Sequence, residues 1–146
     1  MGMLRMAKQL RRRYGTTDPE QILRAMGVTV IRIPLQGLRG IYKRIERNVI
    51  VFVDSELDSR TERFVLGHEL GHHILHKGLN RVFLERCTHM KTSVYEREAD
   101  LFSVCLMAPD PEDVLEEGCT VETIAARLGV ERRLAELYAE ESKRAF

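Results

Sequence analysis

The pattern of apolar and polar positions predicts a helical beginning followed by a small sheet. Residues 4–14 and 19–26 are expected to be helices, and Asp18 with Pro19 supplies a cap and a first helical residue for the second one. Gly27 ends that helix. Runs rich in β-branched residues then predict three strands, at residues 28–33, 41–44 and 49–53. We expect a small antiparallel or mixed sheet, most simply a meander.

The second half of the chain is predicted to be helical. Four helices are expected, at residues 60–76, 94–107, 121–128 and 131–142. The second of them is apolar nearly all round, which indicates burial, and Pro109 ends it. Residues 79–93 are expected to be a long connection. The chain is therefore predicted to be one α+β domain, residues 1–146, with its sheet packed on two long helices and residues 110–146 as a helical appendage.

Composition and charge narrow the function classes. The chain has 146 residues, 44% hydrophobic and 31% charged, which is typical of one globular domain. The sequence shows neither a secretory signal nor an apolar stretch long enough for a membrane span, so we expect a cytosolic protein with no membrane association. Cys87, Cys105 and Cys119 are widely spaced, which favours reduced thiols. The net charge is +8 through Arg47 and −7 beyond it, which favours a solvated surface over a nucleic-acid face.

The first long helix carries a motif typical of metallopeptidases, His68-Glu69-Leu70-Gly71-His72. Residues four apart lie on one helical face, so His68 and His72 can share one zinc ion. Glu69 is then adjacent to the metal and is predicted to act as general base. Gly67 and Gly71 are poor helix formers, which suggests that another backbone approaches closely there.

A catalytic zinc site needs a third protein ligand, and the second apolar helix offers carboxylates. Glu96 and Asp100 are four residues apart and share a face, whereas Glu98 is expected to point to the far side. Because buried carboxylates are costly unless paired or metal-bound, Glu96 is predicted to bind the metal. Asp100 is predicted to accept the outer N–H of one ligand histidine.

Other interpretations of these residues stay open. Glu98 could be the ligand, or Glu96 and Asp100 could belong to an exposed acidic helix start. His76 is expected to support the site or lie on the surface rather than bind the metal. Cys87 and His89 could imitate a ligand pair in the predicted connection.

These motifs resemble a known family. Residues 68–72 together with Glu96-Arg97-Glu98-Ala99-Asp100-Leu101-Phe102 and Leu106-Met107-Ala108-Pro109 resemble the ImmA/IrrE metallopeptidases over about residues 17–109. Family members commonly end the second motif Leu-Leu-Met-Pro, a difference that leaves the ligands untouched. The resemblance implies a zincin-like fold with Zn²⁺ on His68, His72 and Glu96, and Glu69 as base. It also implies a typical substrate, a helix-turn-helix repressor of a mobile element or phage.

Two other functions compete with a site-specific endopeptidase. A DNA-binding regulator could use residues 120–137 as helix, turn and helix, but residues 110–146 hold 10 acidic and 5 basic side chains, which would repel phosphates. A zinc-containing regulatory or partner-binding module without proteolysis would give no reason for Glu69.

Peptide hydrolysis also needs a group that stabilises the oxyanion and a surface that binds the substrate backbone. Tyr42, Tyr95 and His89 are candidates for stabilising the oxyanion. The substrate is predicted to pair with the edge of the sheet, near residues 49–53.

Overall fold

The computed structural model describes residues 2–76 and 89–145. Six α-helices and a three-stranded sheet lie within these ranges. The elements are α1 (Met3–Tyr14), α2 (Pro19–Ala25), β1 (Thr29–Ile33), β2 (Gly40–Ile45), β3 (Asn48–Asp54), α3 (Ser59–Leu75), α4 (His89–Met107), a short 3₁₀ turn (Pro111–Asp113), α5 (Val121–Leu128) and α6 (Arg132–Ala145). The predicted α+β fold with a small sheet is confirmed.

Local signals account for most of the helix boundaries. Asp18 caps α2 by accepting from the Glu20 N–H at 3.0 Å, and Pro19 is its first residue, as predicted. Asp58 caps α3 through the Thr61 N–H at 2.7 Å. Gly129 follows α5 at a φ of 69°, a left-handed conformation that glycine adopts without strain.

The start of α4 differs from the prediction. Residues 89–93 were expected to belong to the connection, but α4 already begins at His89. Apolar periodicity begins only at Val94, whereas the preceding turn contains neither proline nor glycine and can continue the helix. Residues 77–88 of the predicted connection lie outside the described residues.

The sheet is mixed, and the predicted meander is wrong. β3 lies in the centre, parallel to β1 and antiparallel to β2. Strand chemistry explains this order, because β3 is the most apolar strand and buries Val49, Val51 and Val53 on one face. β2 carries Lys43 and Arg44, charged residues that suit an edge strand.

Two glycines allow α3 and α4 to pack closely, as the sequence suggested. A Cβ at Gly67 would lie 3.3 Å from Cα of Ser103, and one at Gly71 would lie 3.2 Å from Cα of Ala99. These contacts pair higher numbers on α3 with lower numbers on α4, so the two helices run antiparallel. Their close packing brings Glu96 and Asp100 towards the histidines of α3.

The C-terminal helices pack against the rest of the fold. Tyr138 of α6 is fully buried, and its hydroxyl donates to the carbonyl of Ala108 at 2.8 Å. The Met3 N–H donates to Glu141 at 2.7 Å, which joins α6 to the start of α1. The apolar faces of α5 and α6 are therefore used in packing. That residues 1–146 form a single domain stays a prediction.

The cysteines were predicted to be reduced thiols, and no membrane span was expected. Cys105 and Cys119 are free thiols, and Cys87 lies outside the described residues. Within the part of the chain that the structure describes, no helix combines the length and apolarity needed to cross a membrane.

Candidate active site

One turn of α3 brings two imidazole rings together. His68 and His72 are four residues apart, and their Nε2 atoms lie 3.1 Å from each other. The rings meet edge to face with centroids 4.7 Å apart. His72 is 3% exposed, and His68 is partly buried. Two histidine nitrogens are thus directed at one point, as the spacing predicts.

Glu96 of α4 completes a set of three side chains that could hold a metal ion. Its Oε2 lies 2.9 Å from Nε2 of His68, and its Oε1 lies 2.8 Å from Nε2 of His72. Ligand atoms of the three residues all lie within 4.8 Å of one another. Two imidazoles and a carboxylate are a donor set typical of catalytic zinc, so these residues fit the ion that the motif implies.

Asp100 lies behind His68, on the side away from the other ligand atoms. Its Oδ1 is 2.8 Å from Nδ1 of His68. Its Oδ2 is 3.0 Å from Nη2 of Arg133, on α6. An Nδ1–H donated to Asp100 would leave Nε2 of His68 unprotonated and able to bind a metal. The geometry is the one expected of the outer partner that the sequence predicted.

Without a metal ion, the surroundings favour a protonated His68 beside an ionised Glu96. Burial, the largest single influence, lowers the pKa of His68, but hydrogen bonds to Asp100 and Glu96 outweigh it and raise this pKa to about 9. Burial also raises the pKa of Glu96, but hydrogen bonds from His68 and His72 lower it far below its usual range. A proton therefore occupies the site at neutral pH when no cation does.

Glu69, the predicted base, is 2% exposed and lies beside the start of β2. A Cβ at Gly40 would be 3.5 Å from Oε1 of Glu69 and 2.8 Å from Cγ1 of Val65. Gly40 thus allows the edge strand to approach α3 at this carboxylate.

His76 lies behind His72, where a residue that supports the site was one of the two predicted positions, whereas Glu98 is positioned differently from its prediction. His76 is buried, 6% exposed, with Nδ1 2.8 Å from Nδ1 of His72. Glu98, expected to point to the far side of its helix, places Oε2 3.2 Å from Nε2 of His76. The expectation about Glu98 is wrong because His76 lies one turn beyond His72, where antiparallel packing brings α4 alongside.

Sequence reasoning did not find two contacts of this arrangement, those of Glu98 with His76 and of Arg133 with Asp100. The relation of His76 to His72 was predicted from their spacing, since residues four apart share a face. Nothing in the local sequence connects Glu98 to His76 or Arg133 to Asp100, because each pair joins different helices. These contacts depend on the tertiary packing alone.

Two candidates for stabilising the oxyanion, Tyr42 and Tyr95, have contacts that the structure describes. The Tyr42 hydroxyl lies 2.8 Å from Nδ1 of His73. The ring of Tyr95 meets the ring of His76 edge to face, with centroids 4.7 Å apart. The side chain of His89 and the residues Cys87 and Thr88 lie outside what the structure describes.

The predicted substrate position on the sheet is wrong. Residues 49–53 belong to β3, which pairs with β1 on one side and β2 on the other, so its backbone groups are already used. In the described part of the chain, β2 pairs on one side only and borders α3. Chain order alone did not reveal that β3 is central.

The chain is similar to a family of peptidases and to two named proteins. The model of the family described as Peptidase_M78, IrrE N-terminal-like domain, matches residues 23–137. "Uncharacterized immunity region protein 2" of Bacillus phage phi105 is 32% identical over 133 residues, which cover 89% of this chain and 84% of that protein. "Metallopeptidase ImmA" of Bacillus subtilis (strain 168) is 25% identical over 97 residues, 66% of this chain and 57% of that protein. The chain belongs to the ImmA/IrrE metallopeptidase family.

Proposed function

We propose that this protein is a zinc-dependent endopeptidase that cleaves a regulatory protein at a specific site. The observation that carries the proposal is the convergence of His68, His72 and Glu96 beside the buried carboxylate of Glu69. Among the described residues, three donors converge, which matches catalytic zinc sites that keep one position for water or substrate. A purely structural zinc would more commonly have four protein ligands.

Each protein group has a distinct task in the proposed hydrolysis. Zinc held by His68, His72 and Glu96 would polarise the scissile carbonyl and acidify the attacking water. Glu69 accepts the proton of that water and delivers it to the leaving amine. Burial of Glu69 keeps bulk water away from the carboxylate and favours transfer to the substrate.

The edge of β2 that has no strand partner among the described residues is the proposed platform for the substrate backbone. Strand addition uses unpaired N–H and C=O groups of an edge strand. Gly40 lies on this strand beside Glu69, and Tyr42 follows on the same face two residues later. A substrate segment paired with β2 would therefore run past the general base, with its scissile bond near the three ligand atoms.

A repressor of the helix-turn-helix class is the proposed substrate. Support comes from the names of two relatives, an immunity region protein of a phage and a metallopeptidase, and from the family resemblance. A cytosolic location, where such repressors bind DNA, is part of the proposal. Nucleic acid is not a proposed partner, because the segment from residue 110 to 146 has a net charge of −5.

The test is cleavage of the neighbouring regulator. Purified protein is incubated with the repressor encoded beside it, with zinc, with a chelator, and with zinc restored after chelation, and products are identified by mass spectrometry. We expect one or a few defined cuts that disappear with chelator and return with zinc. Zinc binding and repressor binding without any cut would instead support the non-proteolytic regulatory module.

A further inference from the structure

The two ligand histidines both lead to a carboxylate on α4, but by different routes. Nδ1 of His68 contacts Asp100 directly at 2.8 Å. Nδ1 of His72 contacts Nδ1 of His76 at 2.8 Å, and Nε2 of His76 lies 3.2 Å from Oε2 of Glu98. His76 thus occupies, for His72, the place that Asp100 has for His68.

The proton positions in this chain of contacts follow from the metal site. Two nitrogens 2.8 Å apart need one proton between them, because two would clash and none would oppose two lone pairs. His72 directs Nε2 at the ligand set, so a metal-binding His72 is unprotonated there and carries its proton on Nδ1. His72 therefore donates to His76, and a neutral His76 must carry its own proton on Nε2, facing Glu98.

The surroundings of His76 hold the ring in this orientation. His76 and His72 are both buried, so solvent does not compete for the shared proton. The Tyr95 ring packs edge to face on the His76 ring with planes 70° apart, which limits rotation of the imidazole. Both nitrogens of His76 face other partners, so His76 is not a fourth ligand in this arrangement.

We propose that His76 is a positioning residue that links Glu98 to the metal ligand His72 and fixes the tautomer in which His72 binds zinc. The inference rests on the metal site of the proposed function but not on proteolysis. The carboxylate charge of Glu98 polarises the two imidazoles in sequence and raises the donor strength of Nε2 of His72. Loss of either member of the link weakens metal binding without removing a ligand.

The test is a double-mutant cycle on zinc affinity with His76→Phe, Glu98→Gln and the double variant. Zinc dissociation constants are measured by competition with a chromophoric chelator, and ¹⁵N chemical shifts of the His72 ring report its tautomer. Glu117→Gln, an exposed carboxylate outside α3 and α4, is the charge control. We expect His76→Phe to weaken zinc binding roughly 10- to 100-fold, the usual effect of losing an outer partner. Glu98→Gln should weaken it less, and the double variant should match His76→Phe.

Several outcomes would overturn the link. Wild-type zinc affinity in Glu98→Gln, or losses that simply multiply in the double variant, would reduce His76 to a packing residue. Direct coordination of zinc by a His76 nitrogen would also contradict it. Glu98 is partly exposed, so Glu98→Gln remains informative if His76→Phe fails to fold. A wild-type protein that binds zinc through this link but cuts no repressor would contradict the proposed function and leave the link standing.

Discussion

Arg133 Nη2 lies 3.0 Å from Oδ2 of Asp100, whose other carboxylate oxygen lies 2.8 Å from Nδ1 of His68. A residue at the start of α6 therefore contacts a partner of His68, a proposed metal ligand on α3. Helix α6 thus borders the candidate site formed by α3 and α4. Asp100 is the central member of this contact, because its carboxylate touches both the imidazole and the guanidinium.

Asp100→Ala is expected to weaken zinc affinity roughly 10- to 100-fold, because His68 loses the acceptor that fixes its tautomer. Arg133→Ala serves as the matched comparison, since it removes the ion pairs that this largely exposed arginine makes with Asp100 and Glu131 and leaves the carboxylate of Asp100 in place. Zinc affinity measured by chelator competition should therefore fall far less in Arg133→Ala. Equal losses in the two variants would mean that the arginine, not the carboxylate, controls the imidazole.

Zinc binding is expected to release protons near neutral pH. The pKa of His68 is raised to about 9 in the metal-free site, so a proton must leave before its Nε2 can bind the ion. Calorimetry in buffers of different ionisation enthalpy should show about one proton released per zinc at pH 7.5, and less above about pH 9. Affinity should fall steeply on acidification. A pH-independent affinity between about 6.5 and 9 would show that His68 is not a ligand.

The same shift makes the stability of the metal-free protein pH-dependent. The folded pKa of His68 lies above the unfolded value of 6.5, so protonation stabilises the fold fully below about pH 6.5. This contribution is lost as pH rises through about 9. Urea unfolding of the chelator-treated protein should show the loss, and His68→Gln should remove it. An identical pH profile in His68→Gln would contradict the assignment.

Gly67→Ala is expected to destabilise the fold although alanine favours helices by about 1 kcal/mol. The added Cβ would clash with Oγ of Ser103, a buried group that donates to the Phe64 carbonyl at 2.7 Å. Relief of this clash must break that hydrogen bond or separate the helices, so we expect a net loss of about 1–2 kcal/mol in urea unfolding. Arg97→Ala, at an exposed position of α4, should change stability little. A more stable Gly67→Ala would mean that the helices separate at little cost.

The grouping of the candidate ligands was predictable from sequence because it depends on helical spacing. His68 and His72, and likewise Glu96 and Asp100, are four residues apart, and the glycines of α3 indicated the close helix that supplies the carboxylates. The spacing of residues along one helix does not predict which helices or strands pack against each other. The central position of β3 and the contact between His76 and Glu98 both follow from tertiary packing.

Glu69→Gln separates metal binding from chemistry and is the most direct test of the proposed peptidase. The amide keeps the size of the side chain but cannot accept a proton, while His68, His72 and Glu96 remain to bind zinc. His72→Ala is the comparison, because it should lose metal and cleavage together. The measurement is the rate of repressor cleavage at matched zinc occupancy. We predict that Glu69→Gln retains near-normal zinc and repressor binding yet cleaves at least ~100-fold more slowly. Cleavage at the wild-type rate would contradict the role of Glu69 as the base and, with it, the proposed mechanism.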